Sequence, residues 1–158
     1  MVRLADLSLG EQKLHLDRIA TLPNFPDPVL TPCKPLNQMR IALITTAGIH
    51  TQQDQAFDTM GSGMDYRVIP VDTEEKDYVM SHLSVNFDRT GFQSDTNVVF
   101  PLQRLKELVK DSVIGSLAKF HYSFMGAIAP VTRYEAKVKE LANLLKQDQV
   151  DAVILTPV

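Results

Sequence analysis

Two continuous runs of β-branched and apolar residues stand out along the chain. Arg40-Ile41-Ala42-Leu43-Ile44-Thr45-Thr46 has the pattern of a strand buried on both faces of a parallel sheet, and Ala152-Val153-Ile154-Leu155-Thr156, introduced by Asp151, reads the same way. Between them Tyr134, Val138, Leu141 and Leu145 repeat at i, i+4, i+7 and i+11, one face of a helix. Thr132-Arg133-Tyr134-Glu135 has the spacing of a capping box at its start, so a helix is predicted from Thr132 to Lys146. Strand, helix and strand in this order make a βαβ unit, with the two strands parallel and central and the helix against one face.

The remaining pattern fills in around that unit. Tyr66 to Val71 predicts a strand that Pro70 either ends or confines to an edge. Thr73 to His82, acidic at its start, reads as a short helix, and residues 83–98 as a polar functional loop. Pro101 in a first helical turn, followed by Leu102, Leu105, Leu108 and Val109, predicts a helix of about three turns closing near Gly115. Phe120 to Met125 reads as a strand. Near the start, Ser8-Leu9-Gly10-Glu11 is a capping box, and Leu14, Ile19 and Leu22 follow it as the apolar positions of a helix. Pro23, Pro26, Pro28, Pro32 and Pro35 then remove backbone donors and forbid a regular element. The expected organisation is an N-terminal helix and Pro-rich arm over 1–38 and one α/β domain over 39–158. Its sheet is mainly parallel and flanked by helices in a Rossmann-like or flavodoxin-like three-layer arrangement.

Composition narrows the function classes. With 158 residues, 44% of them hydrophobic and 22% charged, the chain is long enough for one buried core and too apolar for a disordered tail. Sixteen basic residues against 19 acidic ones, scattered along the chain, leave no electrostatic footprint for nucleic acid or an anionic membrane. The longest mostly apolar stretch, Ile41 to Ile49, falls well short of a membrane span. The start of the chain lacks the pattern of a secretory signal, and a single cysteine, Cys33, cannot form an internal disulfide; a cytoplasmic location is expected.

Candidate chemistry lies mostly at strand ends. The four histidines, His15, His50, His82 and His121, show no metal-ligand spacing with one another or with Cys33, so no metal is expected. Gly61-Ser62-Gly63 lacks the third glycine of a dinucleotide fingerprint and reads as a turn. Thr45-Thr46-Ala47-Gly48 closes the first strand at its carboxyl end, where open α/β sheets place ligands. Its hydroxyls and glycine could hold an anion, although threonines also end strands without any such role. His82, beside Ser81, is either a general acid or base or a helix cap. Asp95-Thr96-Asn97 would pin the polar loop through side-chain to backbone bonds, or contribute to substrate binding. Cys33 reads as a passive side chain, and His121, among Tyr122 and Phe124, as a core or rim residue.

Taken in order, several short motifs carry a resemblance. These are Ile44-Thr45-Thr46-Ala47-Gly48-Ile49, Ser81-His82, Asp95-Thr96-Asn97 with Val99-Phe100-Pro101, Arg104-Leu105, Ile114-Gly115, Ser123-Phe124-Met125-Gly126 and Val150-Asp151-Ala152-Val153-Ile154-Leu155-Thr156. The segment from Arg40 onward resembles the selenoprotein B subunits of the glycine, sarcosine and betaine reductases, a family that also takes in the selenoprotein subunit of D-proline reductase. In that family the terminal strand precedes a redox-active selenocysteine, or a cysteine in its place, then a further cysteine and a helix. The resemblance therefore implies a nucleophile immediately after Val158, absent from this chain, and a product that stops where the selenocysteine codon is read as a terminator.

The resulting expectation is a selenol- or thiol-dependent oxidoreductase. Thr45, Thr46, Gly48, Asp95, Asn97 and Thr156 would bind substrate, and His82 would donate a proton to the leaving group. The substrate would be a small molecule or a disulfide, and the electron donor a thiol protein such as thioredoxin. Apolar side chains near Val153, Leu155 and Val158, without a covering helix, predict a homo-oligomer. The rival expectation is a non-catalytic small-ligand binding or assembly module using the same strand-end pocket. A third is an acid/base enzyme built on His82 and Asp95.

Overall fold

The computed structural model describes residues 3–24, 26–27, 31–58, 64–83, 89–126 and 131–158. The chain divides into two compact units, Met1–Thr31 and Pro32–Val158. In the first unit, α1 spans Leu9–Ala20 and starts at the expected box. The Glu11 N–H donates to Ser8 Oγ at 3.4 Å, and the Ser8 N–H donates to the Glu11 carboxylate at 3.0 Å.

The second unit is built on a mixed, mostly parallel sheet. Strand β1 (Arg40–Thr45) runs parallel to β7 (Ala152–Thr156) in a register from Ile41 opposite Ala152 to Thr45 opposite Thr156. On its other side β1 pairs in parallel with β5 (Ser116–Leu117) and then with β6 (Phe120–Phe124). Strand β3 (Tyr66–Pro70) runs antiparallel to β6 and closes that edge of the sheet. Its proline sits where a ladder donor is least needed. A separate two-stranded ladder joins β2 (Ile49–Thr51) to β4 (Tyr78–Met80).

Strand alternation sorts the side chains onto two faces. Ile41 and Leu43 of β1 and Ile69 of β3 pack with Phe100 and with Leu102 and Leu105 of α3 (Leu102–Lys110). On the opposite face Tyr66, Tyr122 and Phe124 meet Leu141 of α4 (Glu135–Gln147), with Ile44, Leu144 and Leu145 around them. Helices thus cover both faces, and each large aliphatic side chain buried there contributes about 1.5–3 kcal/mol. At the opposite end from the strand carboxyl termini, Arg40 and Asp148 form an ion pair at 2.6 Å. The other Asp148 oxygen accepts the Lys119 N–H at 2.6 Å, and Asp151 accepts the Arg40 N–H at 2.9 Å. One carboxylate after α4 and one before β7 therefore tie β1 to its neighbours.

Several expectations change. β7 is not central: among the described residues it pairs only with β1, and Leu155 is 69% exposed. An all-apolar run is ambiguous between a buried strand and an edge, and only the pairing decides. The segment from Thr73 to His82 forms no α-helix; a 3-10 turn at Glu75–Asp77 leads into β4, because Ile49–Thr51 supplies a partner that local sequence cannot reveal. The polar loop contains α2 (Arg89–Ser94) and a 3-10 turn at Thr96–Val98. Thr132 does not cap α4: Val131–Tyr134 is a 3-10 turn and the helix begins at Glu135, with Tyr134 as an N-cap that makes no side-chain bond. Val138 is half exposed, although its spacing placed it on the buried face. Gly61-Ser62-Gly63 lies outside the described residues.

Candidate functional site

The parallel strands β1, β6 and β7 end together, and the segments leaving them are held by short bonds. Thr45 is fully buried; its hydroxyl donates to the Thr156 carbonyl at 3.3 Å and accepts the Ala47 N–H at 3.1 Å. The Thr46 N–H donates to the same Thr156 carbonyl at 3.2 Å. Thr46 Oγ1 accepts the Val158 N–H at 2.9 Å and lies 3.4 Å from the Val158 carbonyl. The two threonine hydroxyls thus replace the ladder where β1 and β7 diverge, which gives them a structural task as well as a place at the strand ends.

Two glycines let the backbones meet here. Gly48 has φ +67, a left-handed conformation that costs glycine least, and a Cβ there would lie 2.8 Å from Met125 Cε. Its N–H donates to the Phe124 carbonyl at 2.9 Å. Gly126 donates to the Thr46 carbonyl at 3.0 Å, and a Cβ on it would lie 2.8 Å from Thr46 Cβ, so β6 and β1 can approach this closely only without a side chain. Ser123 Oγ accepts the Ile49 N–H at 2.8 Å and steers the chain from Gly48 into β2.

His82 reaches the same edge from β4. It sits at no helix end; it is 3% exposed and hydrogen-bonds the Val158 main chain. Burial, reinforced by the Arg89 guanidinium, pushes its imidazole below the ordinary histidine range, with the Val158 contact opposing both. Arg89 donates to the His82 carbonyl. At neutral pH the imidazole is uncharged. Thr45, Thr46, Gly48, Thr156 and His82 are therefore brought to one edge around Val158.

Asp95 and Asn97 are placed otherwise. Asp95 is exposed and Asn97 half-buried; Asp95 accepts from the Asn97 main chain at 2.9 Å and side chain at 2.8 Å, and Asn97 Oδ1 accepts the Arg104 N–H at 3.4 Å. The hydrogen bonds from Asn97 hold the Asp95 carboxyl below the usual range. These bonds tie the turn before α3 and do not reach Thr45, Thr46, Gly48, His82 or Thr156. Cys33 is exposed. His121 is fully buried in the core, where its Nδ1 accepts the Leu43 N–H at 3.0 Å.

Gly126, Ser123 and Val158 were not singled out as site residues from sequence. Ser123 and Gly126 sit in a recognisable motif, but their contacts with Ile49 and Thr46 span 74 residues of chain or more. Beside them opens a cavity of about 200 Å³ lined mainly by apolar groups of Phe124, Met125, Tyr134 and Val138, with Thr46 and Gly126 at its polar side. Tyr134 donates to the Met125 carbonyl at 2.7 Å across it. Among the described residues no group of three or more His, Cys, Asp or Glu side chains is placed to hold a metal ion. The arrangement can grip a main chain at the strand ends, offer it a neutral imidazole, and seat a small apolar group alongside.

Comparison with known proteins gives a consistent set of relatives. Residues 20–158 match the family described as glycine/sarcosine/betaine reductase selenoprotein B. The D-proline reductase subunit gamma of Acetoanaerobium sticklandii is 36% identical over 137 residues, which cover 85% of this chain and 55% of that protein. The glycine reductase complex component B subunit gamma of Symbiobacterium thermophilum is 30% identical over 127 residues, 79% of this chain and 30% of that one. The betaine reductase complex component B subunit beta of Peptoclostridium acidaminophilum is 30% identical over 132 residues, 81% and 30% respectively. The chain spans about half the length of the first of these and under a third of the others. No solved structure matches.

Proposed function

The chain belongs to the glycine/sarcosine/betaine reductase selenoprotein B family, and from that membership we propose that it builds the strand-end site of a reductase-complex subunit whose nucleophile is carried immediately after Val158. The observation that supports this reading is the grip on Val158, whose main chain is bonded by Thr46 on one side and by His82 on the other. A residue that follows Val158 starts beside a neutral imidazole, at the edge where α/β sheets place ligands. A selenol there, or a thiol in its place, supplies an easily ionised nucleophile for an activated substrate carbon or a disulfide, with a downstream cysteine resolving the adduct by exchange.

The residues of this chain do the positioning and the proton work. Thr45, Thr46 and Thr156 fix the angle at which β1 and β7 part. Gly48 and Gly126 keep that edge free of side chains. His82, uncharged at neutral pH, takes a proton from the incoming nucleophile and returns it to the leaving group, acting as base first and acid second. This differs from simple donation, which its lowered pKa makes a poor starting state. Asp95 and Asn97 secure the turn before α3 and serve the site only through it.

The substrate in this reading is a small nitrogen-bearing molecule, in keeping with the names of the relatives, and electrons return from a thiol protein such as thioredoxin. Other protein subunits complete the active assembly, in a reducing cytoplasm. No helix among the described residues is long and apolar enough to cross a membrane. A second reading, an assembly module, is favoured by one observation, the open apolar edge of β7. The coding sequence beyond codon 158 separates the two. An in-frame UGA with continued coding and a cysteine codon is expected. An ordinary stop followed by unrelated sequence removes the nucleophile and leaves the assembly role.

A further inference from the structure

The reductase reading makes no use of a pair of side chains on the β2–β4 ladder. His50 Nδ1 lies 2.8 Å from the Thr51 carbonyl, and His50 Nε2 lies 2.8 Å from Ser81 Oγ. A carbonyl oxygen can only accept, so Nδ1 carries a proton. In the neutral ring Nε2 is then a bare acceptor, and the Ser81 hydroxyl donates into it.

The ladder and the core hold both partners. His50 stands opposite Val79, and the Ser81 N–H donates to the Gly48 carbonyl at 2.9 Å, which prolongs the ladder by one step. The imidazole is 4% exposed and meets the Phe57 ring edge-on at 6.2 Å; the Arg67 guanidinium lies 4.4 Å from the Phe57 centroid and anchors that ring. Ser81 is half-buried, less enclosed than the imidazole that it meets. A hydroxyl bonded to an imidazole whose other nitrogen is oriented by a fixed acceptor is the nucleophile and base arrangement of acyl transfer, with a main-chain carbonyl as the orienting group.

We propose that Ser81 is an activated nucleophile toward acyl esters and phosphonyl electrophiles, with His50 as its general base. As Ser81 Oγ forms a bond to the acyl carbon, its proton passes to His50 Nε2. The ester bond to the departing oxygen breaks, and that proton leaves on the released alcohol. Water attacking by the same route frees the carboxylic acid and restores the serine. No electrons are exchanged, and nothing in this chemistry depends on the reductase reading.

The test uses the 158-residue chain with Cys33 blocked by a thiol reagent, a fluorophosphonate probe, and peptide mapping of the labelled site. Labelling at Ser81 is expected, and His50→Gln slows it by about a hundredfold or more. Ser81→Ala abolishes it with thermal unfolding unchanged. Label found only at other residues, or Ser81 labelling at an equal rate in His50→Gln, overturns the proposal. Should His50→Gln fail to fold, nitrogen-15 spectra of the unsubstituted protein decide together with the labelling. A neutral His50 protonated at Nδ1 is required, and protonation at Nε2 overturns the assignment.

Discussion

A single buried imidazole illustrates what one residue can impose on this protein. His121 has Nδ1 occupied by the Leu43 N–H and no exposed surface, and burial, with a smaller push from Lys106, lowers its pKa to about 4. The ordinary value of 6.5 applies to the unfolded chain, which therefore takes up the proton first. Stability from this residue is complete above about pH 6.5 and falls as the pH drops toward 4, levelling off at a loss on the order of 3 kcal/mol. His82, also lowered by burial, works in the same direction. Denaturant midpoints measured across this window are expected to fall with acid. His121→Asn, which keeps an acceptor for Leu43, is expected to flatten the slope; an unchanged slope rules out His121 as its source. Sequence placed His121 in the core or at its rim from its strand neighbours, but its bond to Leu43 joins positions 78 apart and has no local signature.

Among the elements, β7 depends on its clamps more than on burial. Its outward apolar side chains contribute little to the core. Asp148 and Asp151, between α4 and β7, bond the start of β1. Burial works to raise the Asp148 pKa, yet the hydrogen bonds from Arg40 and from the Lys119 N–H hold it below the usual range. Asp148→Ala leaves the Arg40 guanidinium and the Lys119 N–H without that acceptor, with an expected cost of about 2–4 kcal/mol in equilibrium unfolding. Asp148→Asn keeps one acceptor oxygen and is expected to cost less. Equal losses in the two variants would show that charge, and not acceptor count, holds the clamp. Elements with a strong local signal, such as α1 with its Ser8–Glu11 box and β1 with its unbroken apolar run, were legible in sequence. β2 and β4, three residues each, were not, because short strands are stabilised by a partner distant in the chain.

For the whole molecule, the sheet has one edge closed by β3, whose last residue is Pro70, and the other formed by β7 with Val153, Ile154 and Leu155 all exposed. An exposed apolar edge strand is a template for pairing with another chain. In line with the proposed assembly role, the protein is expected to self-associate in solution. Leu155→Lys, at a side chain 69% exposed, is expected to shift it toward monomer without loss of thermal stability. Sedimentation equilibrium over a range of concentrations checks this, and a monomer in both forms excludes a β7 interface. The apolar runs, the order of strand, helix and strand, and the threonines at a strand end were determined by sequence, because periodicity and turn chemistry are local. The edge place of β7 and the meeting of Thr46, Gly126, His82 and Val158 were decided only by tertiary structure. They depend on which strand pairs with which, and pairing is set by burial and hydrogen-bond satisfaction over the whole core.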